Sequence, residues 1–119
     1  MDKLVGDFAE MSQESHCAVE ATLRVIGGRW KVLILRALFG GTQRFSALNR
    51  ALPGITQKML TQQLRELEQD GIVHRQVYQQ VPPRVEYSLT ALGQTLYPVL
   101  KSMHDWGETF LASTQAIES

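Results

Sequence analysis

Five polar side chains between residues 57 and 65 are the best candidates for chemistry in this sequence. At helical spacing they share one side, whereas Leu60, Leu64 and Leu67 fall on another. Amide, hydroxyl and basic groups can donate hydrogen bonds to base edges and to phosphate oxygens. These candidate reading residues are Gln57, Lys58, Thr61, Gln62 and Arg65.

The acidic residues of the same segment lie toward its carboxyl end, at Glu66, Glu68 and Asp70. Helix electrostatics would favour acids at the amino end, because that end carries a partial positive charge. An acid there would, however, repel phosphate and occupy N–H groups that can bind it. The arrangement therefore indicates that the amino end of this helix approaches a polyanion.

The formal net charge of zero hides a division along the chain. Residues 24–84 contain ten basic and three acidic side chains, a surplus of +7, and the two ends compensate with −4 and −3. A basic surplus around the candidate helix favours a nucleic-acid partner over an ordinary solvated surface.

The length of 119 residues and the apolar content of 44% suit one domain with its own core. No leader-like pattern opens the sequence, and no run approaches the roughly twenty apolar residues that span a bilayer, so we expect a cytoplasmic protein. The lone Cys17 excludes an internal disulfide, and His16, His74 and His104 lie at no spacing that suits a metal. No cofactor is expected.

Two helices are predicted ahead of the reading residues, after a flexible arm of residues 1–15. The first has Cys17 as N-cap, with Glu20 in a capping-box position, and ends at Gly27-Gly28. The second covers residues 30–39 and is apolar over much of its circumference, so it should be the central helix of the core. The apolar stripe of the first helix is Val19, Leu23 and Ile26.

A short helix and a long helix follow, joined by a tight turn. The pattern predicts a strand at Arg44-Phe45, a helix capped by Ser46 and stopped by Pro53-Gly54, and a long helix that starts at Thr56 and ends at Gly71. This arrangement is typical of a helix-turn-helix motif. Apolar support comes from Leu48 and Leu52, and from a hydrophobic staple of Ile55 and Leu60.

A β-hairpin is predicted after the long helix. Apolar residues recur at strand spacing on both sides of residues 79–83, where Pro82 and Pro83 suit an exposed loop but no central strand. Arg84 beside the loop could reach a phosphate or the minor groove. The order of elements predicts a winged helix-turn-helix, a mainly α fold with a small β-hairpin wing (α+β).

A last helix is predicted over residues 91–111, with Thr90 as its cap, a bend at Pro98 and a tail at 112–119. Its apolar stripe exceeds what a small winged helix can cover, so it predicts a partner subunit. The alternative is that the stripe folds back onto its own domain. The expected dimer-interface residues are Leu96, Val99, Met103, Trp106 and Phe110, with Leu92 continuing the stripe toward the cap.

The sequence resembles the HxlR-type family of winged helix-turn-helix transcriptional regulators, relatives of the MarR type. The resemblance covers about residues 16–111 and is carried by CAVEATLRVIGGRWKVLIL, RFSALNRALPGITQKMLTQQLRELEQDGIVHRQVY and VPPRVEYSLTALG. It implies a homodimer on a pseudo-palindromic operator, with terminal helices that dimerise, residues 56–70 in the major groove and the hairpin as wing. Ala18 departs from the family, in which proline often follows the cysteine.

The resemblance also implies roles for individual residues. The five candidate reading residues are expected to contact the groove and the phosphates, and Arg75 and Arg84 belong to the wing. The positioning groups beside them are Arg44, Ser46 and Asn49.

Cys17 has two interpretations. Several members of the family resemble oxidant or electrophile sensors that use the matching cysteine, and a helix start favours thiolate, the reactive form. Against this, Glu14 and Glu20 are close in sequence and oppose ionisation, and a lone cysteine in a reducing compartment is more often inert. An oxidant or a small molecule is therefore a candidate effector.

Two other classes of function compete with DNA binding. An enzyme is disfavoured, because no nucleophile turn, paired carboxylates or phosphate-binding glycine loop accompanies the scattered histidines and serines. A winged helix that only docks other proteins is the more serious alternative. A docking surface should carry apolar anchors, and Met59 is the only exposed apolar candidate on the polar side of the helix.

Overall fold

The computed structural model describes residues 17–118, so the arm expected over residues 1–15 lies outside it. Three antiparallel strands form one sheet in the order β1-β3-β2. The described residues are mostly helical and carry a small sheet with a hairpin, which confirms the predicted fold class. The elements are α1 (Ala18–Ile26), α2 (Trp30–Phe39), β1 (Gln43–Arg44), α3 (Phe45–Ala51), α4 (Gln57–Gln69), β2 (Val73–Tyr78), β3 (Arg84–Leu89), α5 (Ala91–Gln94) and α6 (Tyr97–Glu118).

The predicted central helix, α2, lies in the middle of the core. It contacts α3, α4, α6 and β3, and its Ile34, Leu35 and Leu38 are buried. The leucines of α4 form the facing wall, since Leu60, Leu64 and Leu67 are all buried in the same cluster. Because α4 buries its leucines here, its other side faces outward.

Local signals fix both ends of α4 as predicted. The Thr56 hydroxyl accepts a hydrogen bond from the backbone N–H of Met59 at 3.1 Å, and the flanking Ile55 and Leu60 are buried as a staple. At the other end Gly71 has a φ of 75°, a left-handed conformation that glycine adopts without strain. The chain then turns directly into β2.

The predicted cap of α3 is wrong. The strand covers Gln43–Arg44, Arg44 itself is the N-cap, and Ser46 lies inside the first turn, so no side-chain cap bond forms. The reason is tertiary, because Gln43 and Arg44 pair with Tyr87 and Glu86 of β3. Phe45 also packs against the core, which draws the helix start forward.

The first helix begins at Cys17 as predicted, but the cysteine makes no side-chain cap bond. Sulfur is a weak acceptor, so the capping box does not close. Of the predicted apolar stripe only Ile26 is buried, while Val19 and Leu23 are exposed. Most of the stripe therefore lies outside the core of its own chain.

The hairpin is confirmed, with β2 and β3 paired from Val73↔Leu89 to Tyr78↔Arg84. Residues 79–83 form an exposed loop in which the Val81-Pro82 peptide bond is cis. The hairpin follows α4 directly in the chain, in the position of the predicted wing.

The last predicted helix is two helices rather than one bent helix. Thr90 caps α5, whose Gly93 donates to the Thr90 hydroxyl at 3.0 Å, and α5 ends in tight bonds from Thr95 to Leu92 and from Leu96 to Gly93. Pro98 becomes the second residue of α6, where a helix needs no N–H donor, so the expected bend is a break.

The helix α6 also extends beyond its predicted end at residue 111 and continues to Glu118. Residues 112–118 contain neither glycine nor proline, and alanine and glutamine among them favour helix. Ser113 donates to the carbonyl of Thr109 at 3.0 Å, so its hydroxyl bonds within the helix instead of ending it.

Candidate nucleic-acid interface

The five candidate reading residues lie together on the outward side of α4. Gln57, Lys58, Gln62 and Arg65 are exposed, and Thr61 is half-buried between them. Together with Phe45 of α3 they line a single surface concavity of about 410 Å³. The structure therefore brings all five onto one concave surface, which we call the reading surface.

The charges around the reading surface suit an anion. The first turn of α4 contains no acidic residue, so no carboxylate offsets the partial positive charge of the helix start or competes for the N–H groups that the Thr56 cap leaves free. Lys58 and Arg65 form no ion pair within residues 17–118. Both cations are therefore available to phosphates or bases.

The acids at the other end of α4 have partners that the sequence did not reveal. Glu66 Oε2 lies 3.6 Å from Nζ of Lys31, and Asp70 Oδ1 lies 3.9 Å from Nη1 of Arg24. These contacts join α4 to α2 and α1. The position of the acids thus serves packing between helices as well as keeping negative charge from the reading surface.

Two of the predicted contact residues already use part of their hydrogen-bonding capacity. The Thr61 hydroxyl donates to the carbonyl of Gln57 at 2.8 Å, which leaves its oxygen as an acceptor. The half-buried Asn49 donates its amide to the carbonyl of Ile55 at 3.4 Å and so braces the turn between α3 and α4. Arg44 and Ser46 are exposed, but they do not line the concavity.

Arg75 of the wing lies beside the reading surface. It is exposed on β2, and with Thr61 and Arg65 it lines a second concavity, of about 480 Å³, between α4 and the sheet. The two concavities share Thr61 and Arg65. The acidic Glu68 also lines the second concavity, so two arginines and one carboxylate lie where the reading helix meets the wing.

Arg84 is separate from that surface. Its guanidinium carbon lies 4.1 Å from the centre of the Tyr78 ring, and its Nε lies 3.3 Å from Oε2 of Glu86 without a directed hydrogen bond. The hairpin pattern could have revealed both partners, because Tyr78 is directly opposite Arg84 in the ladder and Glu86 is two residues along the same face.

The helix α6 presents an apolar stripe away from its own core. Val99, Met103, Trp106 and Phe110 are exposed, and the Trp106 and Phe110 rings stack with centroids 5.4 Å apart. Leu96 differs from the other predicted interface residues, because it is half-buried against the core of its own domain. The stripe does not fold back onto that core.

The opposite side of α6 is polar. Nζ of Lys101 lies 3.3 Å from Oδ2 of Asp105, and Nε2 of His104 lies 3.5 Å from Glu108. Hydrogen bonds from His104 and Lys101 lower the pKa of Asp105 from its usual value. This helix therefore has one solvated side and one apolar side.

Within residues 17–118, no group of three or more metal-ligating side chains occurs. No helix among these residues is both long enough and apolar enough to cross a membrane. Cys17, the one cysteine of the sequence, is half-exposed at the start of α1.

A helix-turn-helix whose second helix is polar outward, followed by a hairpin wing, defines a winged helix-turn-helix DNA-binding protein. The HxlR-like helix-turn-helix family matches residues 25–115, and the chain belongs to this family. The resemblance noted in the sequence is thereby confirmed.

Relatives and solved structures agree with this assignment. The chain is 53% identical over 117 residues to the HTH-type transcriptional regulator YdeP of Bacillus subtilis (strain 168), covering 98% of this chain and 91% of YdeP. The redox regulator HypR in its reduced form has a TM-score of 0.78 at 54% identity, over 82% of this chain and 97% of HypR. The oxidized form of HypR has a TM-score of 0.74 at 58% identity, over 78% of this chain and 96% of HypR.

These relatives are regulators that carry a helix-turn-helix, and regulators of this type are not enzymes. The expectation that the protein is not an enzyme is thus confirmed by its family. The protein is a DNA-binding transcriptional regulator.

Proposed function

We propose that the protein binds a pseudo-palindromic operator as a homodimer, with α4 in the major groove and the β2–β3 hairpin as its wing. The reading surface is the observation that carries this proposal. It places amide, hydroxyl and basic groups on the outward side of an acid-free helix start, where DNA can reach them.

The reading surface divides by chemistry. Lys58, in the first turn, is suited to a phosphate as a point charge, whereas Gln62 and Arg65 have the paired donors and acceptors that recognise base edges. Arg75 extends the proposed contact surface onto the wing. Further phosphate contacts fall to Gln57, Thr61, Arg44 and Ser46, while Asn49 acts by holding the turn. Arg84 is held by Tyr78 and Glu86 and is not among the proposed contacts.

The exposed apolar stripe of α6 supports the homodimer. An apolar patch of this kind on a small protein marks an interaction surface, and two copies related by a twofold axis would each cover the other's stripe. Val19 and Leu23 of α1 add a second exposed apolar surface. A twofold dimer can place two copies of α4 about one DNA turn, roughly 34 Å, apart.

Selection of bound duplexes from a random-sequence library tests the proposal. We expect an inverted repeat with half-sites about one helical turn apart. The affinity for it should fall linearly on a log–log plot with salt, by about 0.9 for each phosphate contact. Absence of an enriched sequence together with weak salt dependence would instead favour a protein-docking module.

Two variants separate the proposed roles in the same titration. Lys58→Gln should weaken binding to all duplexes alike and reduce the salt slope by about 1, because it removes one phosphate contact. Gln62→Ala should leave the slope unchanged and relax the preference at one base pair, by about 1–3 kcal/mol. Equal behaviour of the two variants would contradict this division.

A second function is favoured by the similarity to HypR: we propose that Cys17 senses oxidants or electrophiles. Its half-exposed position at the start of α1 leaves the sulfur accessible to a small oxidant or electrophile. With one cysteine in the chain, the products are a sulfenic acid, a mixed adduct, or a disulfide with Cys17 of the partner subunit.

A further inference from the structure

Lys31 occupies an unusual place for a charged residue. It is the one charged side chain of residues 17–118 that is buried as a whole residue, with 7% of its surface exposed. On α2 it lies four and seven residues before Leu35 and Leu38, so it belongs to the same buried side of that helix. Lysine is rarely buried unless it has a partner.

The partner is Glu66 of α4. The Nζ to Oε2 distance is 3.6 Å, and the side chains are 9% and 38% exposed, so the pair lies at the edge of the contact between α2 and α4. Glu66 follows Gln62 by one helical turn and Arg65 by one residue. The ion pair therefore holds the helix close to two of the proposed base-reading residues.

Net stabilisation does not account for this pair. Removing lysine and glutamate from water offsets much of their attraction, and an apolar side chain of similar volume would pack at position 31 without that loss. The ion pair instead fixes the orientation of α4 relative to α2. Leucine contacts between α2 and α4 are not directional and tolerate small rotations, whereas the ion pair requires one side of α4 to face Lys31.

Small rotations matter at the reading surface. On a helix roughly 10–12 Å wide, a rotation of about 10° moves the ends of its side chains by about 1 Å. Binding groups need to be held within roughly 0.5 Å of their productive geometry. A device that limits rotation of α4 would therefore sharpen the choice of bases.

We propose that Lys31 is a positioning residue for DNA reading: its ion pair with Glu66 fixes the rotation of α4 and hence where Gln62 and Arg65 meet the bases. This inference rests on the DNA-binding role proposed above. Lys31 and Glu66 lie outside the reading surface, and the proposal is that they affect sequence specificity but not the number of phosphate contacts.

The test compares affinities for two duplexes, one selected from a random library by the unchanged protein and one with the same bases scrambled. Lys31→Met keeps a similar side-chain volume and removes the pair. It should lower the ratio of the two affinities at least about fivefold, the equivalent of one mismatched base pair. The salt slope should not change. Lys31→Arg, which keeps the charge, should retain most of the ratio.

A second variant keeps the proposal testable if Lys31→Met does not fold. Glu66→Gln removes the same pair from its more exposed member and should lower the ratio similarly. Asp70→Asn is its matched control, because it removes the longer pair to Arg24 at the end of the same helix, and Asp70 lines neither concavity of the reading helix. Arg24→Gln, which removes the longer, more exposed pair to Asp70, should also leave the ratio unchanged.

The outcomes separate the two levels of proposal. If Glu66→Gln keeps the ratio of the unchanged protein, or if Asp70→Asn lowers it equally, the positioning role of Lys31 is wrong while DNA reading stands. If the unchanged protein selects no duplex sequence at all, the proposed operator binding itself fails.

Discussion

The contacts of individual side chains distinguish the residues that are free for the proposed DNA reading from those that are engaged within the protein. The side chains of Gln62 and Arg65 are exposed and form no hydrogen bond or ion pair with another residue of 17–118. The Asn49 amide and the Glu66 carboxylate, by contrast, are engaged with Ile55 and Lys31. Sequence spacing could group these residues on a surface, but it could not tell which of them were already occupied.

Modification of Cys17 is expected to change DNA binding. Oxidant treatment should change the DNA footprint of the unchanged protein, because modification at the start of α1 adds bulk or a bridge at the half-exposed sulfur. Footprinting across the genome with and without a thiol oxidant measures the change, and Cys17→Ser is the control that should not respond. If both proteins release DNA alike, Cys17 is not the sensor.

Elements whose ends are set by local chemistry were predictable. The staple and Thr56 cap define the start of α4, and Gly71, with a φ of 75°, defines its end. The start of α3 was not predictable in this way, since pairing of Gln43 and Arg44 with β3 decided it. The break between α5 and α6 likewise depends on bonds at Thr95 and Leu96 that competed with a continuous helix.

The Thr56 cap of α4 is expected to contribute measurably to the stability of the fold. Thr56→Ala should lower the free energy of unfolding by about 1 kcal/mol, because the N–H of Met59 loses its 3.1 Å acceptor. Urea denaturation followed by circular dichroism measures the change. Thr56→Ser keeps the hydroxyl and should cost only a small part of that energy; an equal loss in both variants would show that the methyl group, not the cap bond, matters.

For the whole molecule, the described chain is more extended than a compact domain. Its Cα radius of gyration is 17.5 Å, against about 13 Å for a compact chain of this length. The projecting α6 leaves Trp106 and Phe110 at 67% and 51% exposure, which is more apolar surface than a single copy can cover. A second copy on this stripe would bury it.

The corresponding prediction concerns self-association. Trp106→Glu should shift the protein toward monomer by placing a charge in the proposed interface, and sedimentation velocity over a range of concentrations measures the shift. Val81→Glu is a suitable control, because Val81 is 99% exposed on the hairpin loop, away from α6. A monomeric unchanged protein, or a Trp106→Glu variant that associates as tightly, would contradict the homodimer.

The order of the elements and the two sides of α4 were predictable from local pattern, because helical spacing, caps and glycine stops act within a few residues of one another. Three features came from folding and could not be predicted from local pattern. Lys31 is buried, neighbours engage Asn49 and Arg84, and α5 is separate from α6. Each of these depends on groups that folding brings together from different elements or on competition between alternative backbone bonds. Local pattern sets which groups a helix carries, and packing sets which of them remain free.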